Sequence, residues 1–181
     1  MPRLFTGIEI PDELRRLLAQ LRGGLQGARW ADPDDYHLTL RFVGDIDLRT
    51  ANDIAEMLGR VQRPGFPLTF EGLGTFGGRK PSAIIAQVAQ SRALAELQAE
   101  QERMIQRLGL PAEQRKFTPH VTLARLRGTT VGETAEYLAL RGGFTARPFP
   151  VGRFVLFSAR DAVGGGPYVV EEAYPLIARA A

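Results

Sequence analysis

The chain has 181 residues, a formal net charge of +3 and 24% charged residues, as is typical of a single globular domain. It contains no cysteine, which excludes disulfides, thiolate nucleophiles and zinc–thiolate sites. No apolar run approaches the ~20 residues that cross a bilayer. Thr6, Gly7 and Glu9 interrupt the amino-terminal apolar stretch, so we expect a cytoplasmic protein without membrane contact.

Strand and helix patterns alternate through the first half of the sequence. Pro11 and the acidic pair Asp12 and Glu13 are typical of a helix start, and the leucines that follow give that helix one apolar face. The predicted order is a strand at 4–10, a helix that begins at 11 and ends before glycines 23–24, a strand at 37–43, a helix at 50–61, a strand at 66–70 and a loop at 75–81.

The second half repeats this order. It predicts a strand at 83–89, a helix at 92–108, a strand at 120–125, a helix at 134–140, and strands at 149–157 and 168–176 joined by a loop with glycines at 164–166.

The repetition indicates a duplicated strand-helix-strand-helix-strand unit. One unit cannot bury both of its sheet faces alone, so we predict an α+β fold of two pseudo-symmetric lobes with an active site in the cleft between them. Residues 1–181 then form one domain with sequence halves at about 1–82 and 83–181, and the lobes are able to exchange terminal strands. A doubly wound α/β sheet is the alternative.

The two histidines of the chain, His37 and His120, lie in matching contexts that read HLTL at 37–40 and HVTL at 120–123. Alternate residues of a strand share a face, so each motif presents one imidazole and one hydroxyl on the same side. Two imidazoles with ordinary pKa values of roughly 6.5 provide one neutral and one protonated ring near neutral pH. This inventory favours general acid–base cleavage of a phosphodiester, with the hydroxyls donating to phosphate oxygens.

Other chemistries fit the sequence less well. Two histidines that have no carboxylate two or four residues after them are a poor metal-ligand set. A Ser–His–Asp triad remains open, although no Gly-x-Ser-x-Gly motif occurs. The segment TFGGRKP at 75–81 is too short for a phosphate-binding P-loop and is interpreted as a turn at the cleft edge.

Paired His-x-Thr-x motifs, one in each half, resemble the two-histidine phosphoesterase superfamily. Within it the chain is similar to the RNA 2′,3′-cyclic phosphodiesterases, also called the 2′–5′ RNA ligase family, through the stretches RLFTGIEIP, HLTLRFVGD and RKFTPHVTLAR. The resemblance implies a bilobal α+β fold and hydrolysis of RNA 2′,3′-cyclic phosphates to 2′-phosphomonoesters without a metal or other cofactor. It also implies a 2′–5′ RNA ligase activity in some members.

The resemblance extends to individual residues. It implies that His37 is the proton donor and His120 the proton acceptor. The residues that it implies for phosphate binding are Thr39, Thr122, Arg115 and Arg125.

Three further side chains, Arg41, Phe42 and Tyr168, are candidates for contact with a base or substrate. Arg41, four residues after His37, is expected on the face of that histidine, with a plain surface role as the alternative. Arg125, five residues after His120, is expected to point away from it unless the strand bulges. Phe42 and Tyr168 are candidates for stacking on a base, and core packing is the alternative for Phe42.

Two other functions compete with this hypothesis. The same chemistry would act on a small nucleotide such as a cyclic ADP-ribose phosphate, and a non-catalytic protein would bind phosphorylated RNA ends without turnover. A purely structural partner protein has no positive support in the sequence. We expect a monomer whose partner is RNA with 2′,3′-cyclic phosphate ends or a related nucleotide.

Overall fold

The structure is a computed structural model that describes residues 2–159 and 167–179. The glycine loop expected at 164–166 lies outside these ranges. The strands are β1 (Arg3–Glu9), β2 (Ala28–Trp30), β3 (His37–Asp45), β4 (Phe66–Leu68), β5 (Phe70–Phe76), β6 (Ala83–Val88), β7 (His120–Leu126), β8 (Phe149–Val151), β9 (Arg153–Ala159) and β10 (Tyr168–Pro175). The helices are α1 (Asp12–Ala19), α2 (Leu48–Leu58), α3 (Arg92–Arg107) and α4 (Val131–Arg141), with a 3₁₀ turn at Pro33–Asp35.

Eight of the strands form one sheet in the order β10-β9-β1-β3-β7-β6-β5, with β2 paired to the edge of β7 beside β3. Every pair of named strands in the described part of the chain is antiparallel. The α+β prediction is therefore confirmed. The alternative of a doubly wound sheet is wrong, because that fold is built on parallel strands.

The sheet consists of two groups of strands that meet at a narrow junction. One group contains β10, β9, β1 and β3, and the other contains β2, β7, β6 and β5. Strands β3 and β7 join them through the pair Leu38 and Val121. Each group therefore combines strands from early and late parts of the sequence.

The helices cover one face of the sheet, where the main core lies. Leu38 and Val121 are fully buried there, together with Ile54 of α2 and Leu94 and Leu97 of α3. Side chains at the helix starts accept backbone N–H bonds and thereby fix where the helices begin. These N-caps are Asp47, Ser91 and Thr130. No helix of the described residues is long and apolar enough to cross a membrane.

Three features differ from the expected elements. The strand expected at 66–70 is divided into β4 and β5, and the strand expected at 149–157 is divided into β8 and β9. Both divisions have the same cause, because β4 and β8 leave the main sheet and pair with each other in a second, two-stranded sheet. Strand β2 was not expected, since its three residues are too few to show an alternating pattern.

Candidate active site

The two His-x-Thr-x motifs meet at the junction of the sheet. Because Leu38 and Val121 pair with each other and point into the core, the residues on either side of them point to the opposite face. His37 and Thr39 from β3 therefore lie beside His120 and Thr122 from β7, on adjacent strands about 4.8 Å apart. We call this side of the sheet the histidine face.

Both motif strands contain a β-bulge at the same place. The pairing register shifts after Thr39 on β3 and after Thr122 on β7, which leaves Leu40 and Leu123 as extra residues. The two strands also begin with the same alternation of buried and partly exposed residues up to the bulge. A bulge adds one residue to the count, so it inverts the faces on which the side chains that directly follow it lie.

The bulge on β7 brings Arg125 onto the histidine face. Arg125 pairs with Ala83 and Thr122 with Ile85, and these partners are two residues apart on β6, so the side chains share a face. The positive charge of Arg125 is near enough to His37 to lower its pKa. The bulge allowed for in the sequence interpretation is therefore present.

The bulge on β3 removes Arg41 from the histidine face, so the expectation that Arg41 shares the face of His37 is wrong. Arg41 is 6% exposed and forms an ion pair with Glu102 of α3 on the helix side of the sheet. Its guanidinium also donates to the carbonyl oxygens of Phe42 and Pro111. Arg41 thus ties β3 to α3 and to the loop before β7.

The same bulge places Phe42 at the position that corresponds to Arg125 in the other motif. Phe42 is 48% exposed and lies opposite Phe5 of β1, which itself lies opposite Phe157 of β9. Val170 of β10 continues this row on the far side of Phe157. The first group of strands therefore carries an apolar row across the histidine face, and Phe42 belongs to this row and not to the main core.

Aromatic rings surround His37. Its ring centroid lies 4.9 Å from that of Phe5, 5.5 Å from that of Phe157 and 4.9 Å from that of Tyr168, which meets it edge-on. The backbone N–H of Tyr168 donates to the Asp35 carboxylate at 3.3 Å, which links β10 to the segment that leads into the first motif. These contacts hold the ring in one orientation.

The hydrogen bonds of the two histidines follow the same pattern. Nδ1 of His37 lies 2.7 Å from the carbonyl oxygen of Asp35, and Nδ1 of His120 lies 2.6 Å from that of Thr118. A carbonyl only accepts, so each Nδ1 carries the proton and each neutral ring keeps Nε2 as its free base. Nε2 of His37 lies 3.1 Å from the Thr39 hydroxyl, which then donates to it.

Burial lowers the pKa of both histidines, because desolvation disfavours the charged ring. For His37 burial is the largest cause and brings the pKa to about 4, with smaller contributions from the charges of His120 and Arg125 and opposition from the Asp35 carbonyl. The pKa of His120 is also lowered by burial, against the raising effect of the Thr118 carbonyl. Both rings are therefore neutral at pH 7 when no ligand is bound.

The remaining candidate residues differ in how close they lie to the two histidines. Tyr168 packs edge-on against His37. Burial raises the pKa of its hydroxyl, and the charge of Arg125 opposes this effect. Arg115 lies on the exposed loop before β7, where its backbone N–H donates to the Glu113 carboxylate at 3.0 Å. Within the described residues, no side-chain contact joins Arg115 to either imidazole.

Sequence reasoning predicted Tyr168 but missed the three phenylalanines around the histidines. Phe5 and Phe157 lie on strands that are apolar on both faces, and this composition is the signal that both faces are covered. Phe76 of β5 packs edge-on against His120 at 4.7 Å and lay at the margin of the loop expected at 75–81. No group of three or more metal-ligating side chains occurs among the described residues.

An α+β fold whose antiparallel sheet joins two His-x-Thr-x strands at one junction defines the class of two-histidine phosphoesterases. The chain belongs to the LigT-like phosphoesterase family, whose model matches residues 8–86 and again residues 85–168. The double match reflects the duplicated unit that the sequence predicts.

Proteins named RNA 2′,3′-cyclic phosphodiesterase are similar to the chain. That of Thermotoga maritima is 30% identical over 132 residues, which cover 69% of this chain and 70% of that protein. That of Geobacillus stearothermophilus is 30% identical over 128 residues, which cover 67% of this chain but only 41% of that longer protein. The crystal structure of Escherichia coli LigT complexed with NADP+ superposes with a TM-score of 0.77 and 25% identity, covering 97% of each chain.

Proposed function

We propose that the protein hydrolyses 2′,3′-cyclic phosphates at RNA ends and leaves a 2′-phosphomonoester. The observation that carries this proposal is the meeting of two imidazoles and two hydroxyls at one junction of the sheet. Both rings keep Nε2 available for proton transfer, because Nδ1 of each is bonded to a backbone carbonyl.

The similar proteins support the choice of substrate. The Thermotoga and Geobacillus relatives carry the name of this activity. The NADP+ in the Escherichia coli structure contains a 2′-phosphomonoester on ribose, which is the group that the proposed reaction produces. RNA is therefore the proposed substrate, and no metal is part of the proposed reaction.

The reaction divides between the two rings. Nε2 of His120 accepts a proton from water, whose oxygen attacks phosphorus. The bond between phosphorus and the 3′ oxygen breaks, and Nε2 of His37 donates a proton to that departing oxygen. The product is a 3′ hydroxyl beside a 2′-phosphate. The assignment of donor and acceptor follows the family pattern, since the two motifs are too similar to decide it.

The desolvation of His37 constrains the donor role. With a pKa of about 4 the ring is neutral in the free protein and has no proton to give at pH 7. A phosphate anion beside Nε2 favours the charged ring and opposes the effect of burial. His37 therefore takes up its proton together with the substrate, and the donor is charged only when the anion is present.

The threonines complete the proposed site. Thr39 donates to Nε2 of His37 in the free protein, and a charged ring releases this hydroxyl because both would then be donors. The hydroxyl is then free to donate to a phosphate oxygen. Thr122 has the corresponding position beside His120, and Arg125 supplies positive charge on the same face.

Product analysis tests the proposal. The protein is incubated with an RNA that ends in a 2′,3′-cyclic phosphate, and the product isomer is identified. A 2′-phosphate is expected, and a 3′-phosphate or the absence of turnover contradicts the proposal.

A substrate analogue separates the two roles. Replacing the 3′ leaving oxygen by a nitrophenolate removes the need for an acid, so His37→Ala should regain much of its lost rate while His120→Ala stays slow. Rescue of His120→Ala alone would reverse the assignment, and equal rescue of both would contradict acid–base catalysis.

A further inference from the structure

A second arginine lies directly opposite Arg125. Strand β2 pairs with β7, and Arg29 is the cross-strand partner of Arg125. Directly opposite residues of an antiparallel pair point to the same face with Cα atoms about 5 Å apart. The next residue, Trp30, points to the other side, where it packs against Tyr137 of α4. Arg29 therefore lies on the histidine face, although nothing in the sequence motifs marks it.

The two arginines form an uncompensated pair of charges. Both side chains are exposed, and no acidic group of residues 2–159 and 167–179 forms an ion pair with either. Like charges directly opposite each other in a sheet are destabilising. Elsewhere on the sheet the protein avoids this, since Arg3 pairs with Asp45 across β1 and β3, and Arg153 pairs with Glu9 across β9 and β1.

The arginine pair lies at one end of the candidate site. Arg125 and Thr122 pair with residues two apart on β6, so they are separated by about 7 Å of strand, which is comparable with one nucleotide of an extended RNA chain. The antiparallel pairing of Leu38 with Val121 places the residues after Thr122 alongside those before His37, so Arg125 is at the His37 end of the site. The 3₁₀ turn at Pro33–Asp35 connects β2 to the strand of His37, which fixes Arg29 at the same end.

We propose that Arg29 and Arg125 bind a second phosphate, the one on the 5′ oxygen of the nucleotide whose cyclic phosphate is at the histidines. Two guanidinium groups on neighbouring strands suit a phosphate, which offers oxygens to both and removes their mutual repulsion. This inference rests on the proposed function and deepens it, since an internal nucleotide step of RNA supplies the 5′-phosphate and a cyclic mononucleoside does not.

Two product analogues isolate this subsite. They are 2′-AMP and adenosine 2′,5′-bisphosphate, which differ only in the 5′-phosphate, and their affinities are measured by calorimetry. We expect the wild type to bind the bisphosphate more tightly by about fivefold to tenfold, the size of one exposed charged contact. Arg29→Gln should lose this preference and leave the affinity for 2′-AMP unchanged, while Arg29→Lys should retain part of it.

A matched variant controls for net charge. Arg49→Gln removes one exposed positive charge from α2, on the helix side of the sheet, and should keep the full preference. Removing Arg29 relieves repulsion, so Arg29→Gln should melt no lower than the wild type. Equal affinities of the wild type for the two analogues overturn the inference, as does an Arg29→Gln variant that weakens both analogues or neither.

Failure of the proposed function gives a different result. A wild type that does not hydrolyse a cyclic phosphate, yet prefers the bisphosphate through Arg29, would contradict the reaction and retain the subsite. Hydrolysis of adenosine 2′,3′-cyclic phosphate with no gain from a 5′-phosphate would retain the reaction and overturn the subsite.

Discussion

Replacing His37 by asparagine should change how the stability of the protein depends on pH. The folded ring has a pKa of about 4, whereas an unfolded histidine has a pKa of roughly 6.5. Below pH 6.5 the unfolded chain therefore binds a proton at this ring that the folded protein does not bind. The free energy of unfolding decreases as the pH falls toward 4. Above pH 6.5 the ring is neutral in both states, so it no longer lowers the free energy of unfolding.

The size of the effect follows from these two pKa values. Between pH 7.5 and pH 4.5 the wild type should lose about 2.5 kcal/mol of unfolding free energy through this ring alone. The asparagine variant lacks the ring and should not show this loss, although its amide is still able to donate to the Asp35 carbonyl. The difference between the two proteins therefore isolates His37 from all other titrating groups.

Urea unfolding of both proteins at several pH values measures the difference. His120→Asn serves as a control and should show a smaller change, because His120 is less desolvated than His37. If the wild type and His37→Asn lose stability in parallel, the burial of His37 does not control its protonation, and proton uptake with the substrate has to be abandoned.

Four other outcomes are expected. His37→Ala and His120→Ala should each lower kcat/KM on RNA cyclic phosphate by at least about a hundredfold; near-native rates would contradict the two-histidine mechanism. The double variant Thr39→Val, Thr122→Val should keep its melting temperature but bind phosphate more weakly and turn over more slowly, unless the hydroxyls are only structural. Arg41→Met should lower the free energy of unfolding in urea by about 3 kcal/mol, because the buried guanidinium loses its bonds to Glu102 and to two carbonyl oxygens, while the folded protein keeps its kcat/KM; a large kinetic loss would indicate that Arg41 contacts the substrate. Activity should persist in excess EDTA, whereas loss reversed by a divalent ion would indicate a metal site.

The location of the motif residues was predictable because strand alternation is regular up to the bulges. His37 and Thr39 are separated by one residue, as are His120 and Thr122, so a period of two already puts each pair on one face. The repeated order of elements indicated that both pairs belong to equivalent strands. Nothing beyond local pattern was needed for this part of the site.

The bulges were not predictable from that pattern. An extra residue such as Leu40 is an apolar side chain in an apolar strand, and the sequence carries no mark that it lacks a partner. Arg41 and Phe42 therefore lie on the opposite faces of the sheet from those that regular strand alternation predicts. The aromatic surroundings of His37 were equally hidden, because Phe5 and Phe157 become neighbours only through pairing across most of the chain.

Pairing of β1 with β9 also has a consequence for biosynthesis. Arg3 is the cross-strand partner of Ala159, so one edge of β1 has no native partner until the distant strand β9 has been synthesised. Closing so long a loop is slow, and an unpaired strand edge in a partly synthesised chain attracts other strands. The partly synthesised chain should therefore depend on chaperones until β9 has been synthesised. It should then fold in one late step that includes both ends of the sheet.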